Sequence, residues 1–465
     1  MKINSFYDRK QELQGLKEKY ASLTSGEMLV LYGRRRVGKT ELVRQFMGTI
    51  ENCLYFYVDL VEKKGLLDSL SKAILDQLKE TITFAEFDDF LKYLEKKGKK
   101  FVLIIDEFQR LLETAPEFIT RLQHYWDSQL KHKQIMIILV GSSIGMMQRI
   151  TNSKAGALYG RTTRTKISPF TYHAFREMFQ DLTEEEKIIL YSVFGGTPYY
   201  LEKVKKREGS IHTLIEELVL KKGAELYEEP KTLLEYENVR IHSKYNAILS
   251  SIAAGKETLK EMSDFTGIEQ NIMPAYIEKM DVLLDLVKKK DPLLGKKRLG
   301  RYMIGDNFFR FWYKFIFPNQ TSLNLGNTKG VSLLIQKNLN SYVGRVFEEI
   351  IRELLVLYLN KKIKNTEIVF DDIGNFWDRS GNEIDIVAIG RNKILLGEVK
   401  WTSKPTDTNI LEDLMVKAKY IPFKGNYQLF MVSKSGFTEA CLKRMNELSV
   451  LYLDLTEIEQ LFDRP

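Results

Sequence analysis

An ammonium group set among glycines and followed at once by a hydroxyl can hold a chain of phosphates. Residues 33–40, GRRRVGKT, offer that set. Gly33 and Gly38 let main-chain N–H groups turn inward around an anion. Lys39 can neutralise β- and γ-phosphate charge, and the Thr40 hydroxyl can hold Mg²⁺. Arg34, Arg35 and Arg36 either assist the phosphates or lie solvated on the loop. Further along, FVLIIDEFQRL (101–111) carries an acid pair at the end of an apolar run. There Asp106 can take the metal and Glu107 can polarise the attacking water. The other reading is a solvent-facing loop pair. IMIILVG (135–141) ends in Ser142 and Ser143. A hydroxyl at Ser142 could sense a terminal phosphate or position water, or it could cap a helix. Arg161 and Arg164, in ALYGRTTRTKISPF, could stabilise transition-state charge on their own or a neighbouring nucleotide, or form surface ion pairs. GGTPYYL (195–201), which contains Pro198, puts a tight turn before a helix. It could lay backbone or an aromatic surface against a base and ribose.

A second constellation lies near the other end. GNEIDIVAIGRNKILLGEVKW (381–401) reads as two apolar strands around a polar turn, with Asp385, Glu398 and Lys400 inside them. If the turn is centred between Arg391 and Asn392, residues pair when their numbers sum to 783. Asp385 then faces Glu398, with Cβ atoms roughly 5 Å apart. Lys400 falls on the same face, two residues beyond. Carboxylates that close repel unless a proton or cation lies between them. Asp385 and Glu398 therefore suit a hard divalent ion such as Mg²⁺, and Lys400 suits a phosphate or a nucleophilic water. Val387, Ile389, Ile394 and Leu396 share the face, and a one-residue slip would undo the opposition. The alternative is an ordinary set of polar residues on one side of a hairpin.

The elements needed to position these residues can be read from periodicity. MLVLYG, LYFYVDL, FVLIID and IMIILVG are short β-type runs separated by helical patterns, as in a parallel α/β sheet covered on both faces. After Pro169 the pattern is helical to about Tyr236. Residues 243–315 read helix, helix, helix, hairpin, the order of a winged helix-turn-helix. The hairpin carries Lys288, Lys289, Lys290, Lys296, Lys297, Arg298 and Arg301, and is either a phosphate grip or a solvated face. The third helix, with Glu269, Glu278 and Asp281 around it, suits a major groove poorly, and Pro274 must sit in its first turn or kink it. NQTSLNLGNTKG (319–330) has the composition of a linker. SYVGRVFEEIIRELLVLYLN (341–360) is an amphipathic helix with Glu348 at the border of its apolar stripe. The expected division is a core over 1–170, a helical lid over 171–235, a winged helix over 236–320 and an α/β domain over 321–465.

With 465 residues, 44% hydrophobic and 28% charged, the chain fits a multidomain globular protein. No apolar run approaches the ~20 residues of a membrane span, and the N-terminal stretch is charged too early for a secretory signal. Two distant cysteines, Cys53 and Cys441, suit a reducing cytoplasm and form no metal-site spacing. The net charge is +8, yet residues 321–465 hold 19 basic and 19 acidic side chains. The segment 236–320 holds 14 against 10. This balance permits nucleic-acid binding without requiring it.

Taken in order, FYDRKQELQGL, LYGRRRVGKTELV, LIIDEFQRL, ILVGSSIGMM, LYGRTT and GGTPYYL resemble the archaeal-type ATPase family, a branch of the P-loop NTPases close to AAA+ and STAND switch proteins. The resemblance covers about residues 1–235. It implies ATP with Mg²⁺, a helical lid behind the core, and Arg9 and Glu12 in an entry segment near the base. FEEIIREL, FWDRSGNEIDIVAI and LLGEVKW resemble the PD-(D/E)XK nuclease-like domain attached to such ATPases. On that resemblance Asp385, Glu398 and Lys400 are catalytic candidates with Glu348 in support, while Trp377, Glu383 and Trp401 match family positions without an evident chemical task. Three functions follow as expectations. The first is an ATP-driven switch that presents the winged helix and nuclease-like domain. The second is a DNA-processing nuclease licensed by ATP. The third is a nucleotide-sensing scaffold with an inactive nuclease-like domain that barely hydrolyses ATP and binds a protein partner; a homo-oligomer is a further expected assembly.

Overall fold

The computed structural model describes residues 6–152, 156–236 and 242–464. The chain divides into two compact units, Met1–Pro169 with Glu278–Asp285, and Phe170–Ile277 with Leu286–Pro465. The domain junction expected near residue 236 adjoins 237–241, outside the described residues.

The first unit is built on five strands, β1 (Glu27–Tyr32), β2 (Cys53–Tyr57), β3 (Phe101–Asp106), β4 (Ile135–Gly141) and β5 (Thr163–Lys166), all parallel, in the order β2-β3-β4-β1-β5. The continuous apolar runs of β1, β3 and β4 follow from burial on both faces. Met28, Val30, Leu103, Ile105, Ile137 and Leu139 join one core, against the helices Lys63–Leu78, Phe87–Glu95 and Pro116–Ser128. The residues between them, Leu29, Leu31, Val102, Ile104, Met136, Ile138 and Val140, join the other, against the helices Lys10–Ala21 and Lys39–Met47. The period of two is the strand pleat expressed in packing. Glu278–Asp285 completes this unit. A Cβ on Gly145, in the helix Ile144–Thr151, would lie 2.5 Å from Leu283 Cδ2, so a larger residue there would make that leucine shift. Lys166 pairs with Asp285 at 2.6 Å.

In the second unit, helices run from Tyr172 to Tyr236 and are followed by His242–Ala253, Leu259–Thr266 and Met273–Glu278. Pro274 sits in the first turn of the last of these, where its missing N–H costs least. The antiparallel pair β6 (Val287–Lys290) and β7 (Arg301–Ile304) is the expected hairpin. The expected linker at 319–330 is instead mostly helical: Gln320–Asn324 is one helix, and Thr328–Leu357 starts a thirty-residue one. Its polar composition misled because Asn327 is a cap, accepting from Gly330 N at 3.0 Å. The small hairpin β8 (Lys361–Ile363) and β9 (Thr366–Ile368) precedes a mixed sheet of β10 (Asp372–Trp377), β11 (Glu383–Ile389), β12 (Lys393–Lys400), β13 (Asn426–Ser433) and β14 (Leu451–Asp454). The first three strands are antiparallel, and the last two run parallel to β12. The helical segment and this sheet domain are joined by ion pairs. Glu353 of the long helix caps the helix Tyr172–Met178, accepting from Tyr172 N at 2.9 Å and His173 N at 2.7 Å. Arg176 bonds Glu184 and Asp463, both at 2.9 Å.

Candidate functional site

The glycine loop leaves β1 and enters the helix Lys39–Met47 through Gly38, which adopts φ 91°. A β-carbon there would be strained, so the position needs glycine. No side chain of the N-cap residue bonds the first turn of this helix, the end of a helix that suits an anion. Gly33 is required for a different reason: a Cβ there would sit 2.1 Å from Ile167 O. Lys39 is buried, and its ammonium bonds Gly33 O at 2.9 Å and Arg34 O at 2.7 Å. The loop thus wraps around its own cation. Arg9 braces the loop from outside, donating to Val37 O at 3.2 Å and to Ser168 O, and pairing with Glu12 at 3.1 Å.

The acid pair lies at the carboxyl end of β3, beside this helix. Thr40 Oγ1 donates to Asp106 Oδ2 at 2.9 Å, and Tyr55 Oη donates to the same oxygen at 2.7 Å. Burial first, then the charge of Asp106, pushes the Tyr55 phenol upward, so it stays a donor. Glu107 stands in the left-handed region at φ 57°, with its N–H on Asp106 Oδ1 at 2.8 Å. Its Oε2 accepts from Gln109 Nε2 at 2.6 Å and Ser142 Oγ at 2.8 Å. Gln109 also reaches Ser142 at 3.1 Å. Ser142 therefore serves Glu107 and is not the helix cap that was its alternative reading. Sequence reasoning missed Tyr55 and Gln109. Both lie in apolar strand-and-turn contexts, where only the folded sheet reveals their targets.

Other candidates lie elsewhere. Arg161 is held by Asp127 in a two-point pair, at 2.8 and 2.7 Å, and this bond draws the Asp127 carboxyl below its usual range. That is the surface ion pair of its alternative reading; an arginine serving a phosphate would have to leave it. Arg164 is exposed on β5. Pro198 opens the helix Pro198–Lys205 and belongs to the second unit.

At the second constellation the strands pair as the sum rule expects: Ile386 with Gly397, Val387 with Leu396, Ala388 with Leu395 and Ile389 with Ile394. Asp385 Oδ2 accepts from Val399 N at 2.9 Å. Its carbonyl is held by Asn375 Nδ2 and Arg352 Nη1, each at 2.9 Å. Glu398 is buried, with Lys400 Nζ 2.5 Å from Oε1 and Lys417 Nζ 3.7 Å from Oε2. That Oε2 has no hydrogen-bond partner among the described residues. Burial, then the charge of Glu398, raises Asp385. Burial, then the charge of Asp385, raises Glu348. Crowded, desolvated carboxyls with an orphaned oxygen fit a bound cation. Among the described residues no three metal-binding side chains of the His, Cys, Asp and Glu types are gathered. Thr40–Asp106 and Asp385–Glu398 would each need water or phosphate oxygens to complete a Mg²⁺ shell.

Three aromatic and acidic positions without an assigned task find one here. Trp377 donates through Nε1 to Leu299 O at 2.8 Å and lies under the Arg301 guanidinium, 4.7 Å away. Glu383 pairs with Arg301 at 3.0 Å. Trp401 packs edge-on against Phe347 of the long helix, centroids 4.9 Å apart. Leu293 N, in the hairpin loop, donates to Asn375 O at 2.8 Å, and Lys290 pairs with Glu349 at 3.1 Å. The β6–β7 hairpin is thus docked on the mixed sheet and the long helix, with Arg301 committed to Glu383 of the sheet and Lys290 to Glu349 of the helix. Lys296, Lys297 and Arg298 remain exposed.

A family described as "ATPase domain predominantly from Archaea" matches residues 6–204, and one described as "Archaea bacterial proteins of unknown function" matches residues 312–411. The chain is similar to the uncharacterized protein MJECL04 of Methanocaldococcus jannaschii, with 33% identity over 425 residues, covering 90% of this chain and 92% of that one. It is similar to the uncharacterized ATP-binding protein MJ0075 of the same organism, 28% identical over 236 residues, covering 48% of this chain and 63% of that one. Among solved structures, the Walker-type ATPase PABY2304 of Pyrococcus abyssi superposes with a TM-score of 0.52 at 20% identity, covering 66% of this chain and 96% of that one. This last likeness is one of fold alone.

Proposed function

The chain belongs to the archaeal-type ATPase family, and on that premise we propose that its first unit binds and hydrolyses Mg²⁺·ATP as a switch for the second. The observation that carries this reading is the loop itself: a buried Lys39 ammonium inside main-chain carbonyls, a helix start beyond Gly38 with no N-cap side-chain bond, and Thr40 bonded to Asp106. Mg²⁺·ATP supplies the scissile phosphoanhydride and a divalent charge. Lys39 would exchange its carbonyl partners for phosphate oxygens. Asp106, already polarised by Thr40 and Tyr55, would hold the metal side. Glu107, fixed by Ser142 and Gln109, would orient the attacking water and accept its proton.

A second reading is supported by the orphaned Glu398 oxygen opposite Asp385. The sheet domain would then be a PD-(D/E)XK nuclease-like module acting on phosphodiesters, DNA first among them, beside a winged-helix hairpin. The ion pairs that consume Lys290 and Arg301 favour that hairpin as a docking element for the long helix and the sheet. Exposed Lys296, Lys297 and Arg298 are what is left for a nucleic-acid backbone. A protein partner or a second copy of the chain is the occupant proposed if nucleic acid fails to bind.

ATP binding by calorimetry and phosphate release together test the first reading. Lys39→Ala is expected to abolish binding. Glu107→Gln should keep binding and lose turnover by roughly 10²-fold or more. Tight binding by Lys39→Ala would overturn the assignment.

A further inference from the structure

Glu398 faces two ammonium groups, and only one of them was anticipated. Lys400 is its strand neighbour two residues on, with Nζ 2.5 Å from Oε1. Lys417 comes from a separate element, the helix Thr408–Ala418, and places Nζ 3.7 Å from Oε2. The same Lys417 ammonium lies 2.7 Å from Asp413, one turn earlier on that helix. The two carboxylates have different surroundings. Glu398 is buried, whereas Asp413 is exposed. Lys417 is thus shared between an inner acid, whose Oε2 lacks a hydrogen bond, and an outer acid in water. Lys400 and Lys417 already place positive charge beside Glu398. A cation arriving at Glu398 would meet a resident positive charge.

We infer that Lys417 is a positioning residue that stands in for the divalent ion at Glu398, and that metal entry moves its ammonium fully onto Asp413. The inference rests on the nuclease-like reading of Asp385 and Glu398 and adds a control to it. The helix geometry makes the exchange short: an i, i+4 pair on one helix face needs a side-chain rotation and no backbone movement. A lysine suits this task because its point charge sits on a flexible four-carbon stem, whereas an arginine fork would stay committed to one carboxylate. Solvent screening makes the outer pair weak, so the ammonium is readily divided between the two acids.

Two substitutions on one helix should therefore act in opposite directions. Lys417→Gln removes the competitor and should tighten metal binding by about tenfold, or about 1.4 kcal/mol. Asp413→Asn removes the outer seat, leaves the ammonium on Glu398, and should weaken metal binding several-fold. The measurement is Mn²⁺ titration of the full chain without nucleotide, following free Mn²⁺ by electron paramagnetic resonance. The Glu398→Gln chain defines the component that belongs to this site. Tightening by Lys417→Gln with weakening by Asp413→Asn supports the inference. Glu398-dependent binding that is the same in wild type and both variants overturns it and leaves the nuclease-like reading standing. If no chain shows a Glu398-dependent component, both fall. Asp413 is exposed, so its variant keeps the test sound even if Lys417→Gln folds poorly.

Discussion

Glu107 occupies a left-handed backbone conformation that a non-glycine residue adopts only at a cost of about 1 kcal/mol or more. The cost is met by its N–H bond to Asp106 and by the side-chain bonds from Gln109 and Ser142. Gln109 is buried and sits outside the phosphate loop, so its contribution is to aim Glu107. Gln109→Ala is expected to lower kcat about tenfold while changing the Kd for ATP less than about twofold; parallel loss of both would show that it merely supports the fold. Lys39, Thr40, Asp106 and Glu107 were legible in sequence because their chemistry is tied to a short spacing. Tyr55 was not, because Asp106 is 51 residues away on another strand; Gln109 was not, because the Ser142 that completes its bond to Glu107 is 33 residues away. For Arg161 the sequence left two readings open. An arginine after the core reads as a possible phosphate contact, and only the fold brings Asp127, 34 residues earlier, to it.

Among the elements, the β6–β7 hairpin and the long helix Thr328–Leu357 are tied by charge. Glu349 receives Lys290 at 3.1 Å and Arg310 at 3.4 Å. Burial alone would raise its carboxyl, but the charges of Arg310, Lys290 and Arg352 outweigh that and draw it down to about 2. The folded group holds its proton less tightly than the unfolded chain does. Its stabilisation is therefore complete above about pH 4.5 and disappears as the pH falls toward 2. Glu349 is only partly buried, which limits the effect to about 1–2 kcal/mol. Calorimetry of Glu349→Gln should give a Tm lower by roughly 2–5 °C at pH 7, with the difference from wild type closing below about pH 3. A constant difference across that range would remove Glu349 from the account. The β11–β12 register around the turn at Arg391–Asn392 was legible, because alternation fixes which face each strand residue takes, and so was the β6–β7 hairpin itself. Its docking was not: Trp377 and Glu383 carry no local pattern that names Leu299 and Arg301 as partners.

For the whole molecule, two compact units predict two heat-absorption peaks rather than one. A non-hydrolysable ATP analogue with Mg²⁺, at about a hundred times its Kd, should stabilise the first unit by about 2.7 kcal/mol and move only one peak. A single peak that shifts as a whole would overturn that expectation. No helix among the described residues is long and apolar enough to cross a membrane. The cap that Glu353 places on the helix Tyr172–Met178 spans 181 residues of chain. A ribosome adding about 5–20 residues per second delivers Tyr172 some 10–35 seconds before that carboxylate emerges. During translation the Tyr172 and His173 amides therefore wait for a distant stretch of message to be read. Glu278–Asp285 imposes a shorter wait on the phosphate-loop unit. A premature stop codon between residues 285 and 353 would yield a product with its nucleotide-binding half complete and its second half never closed.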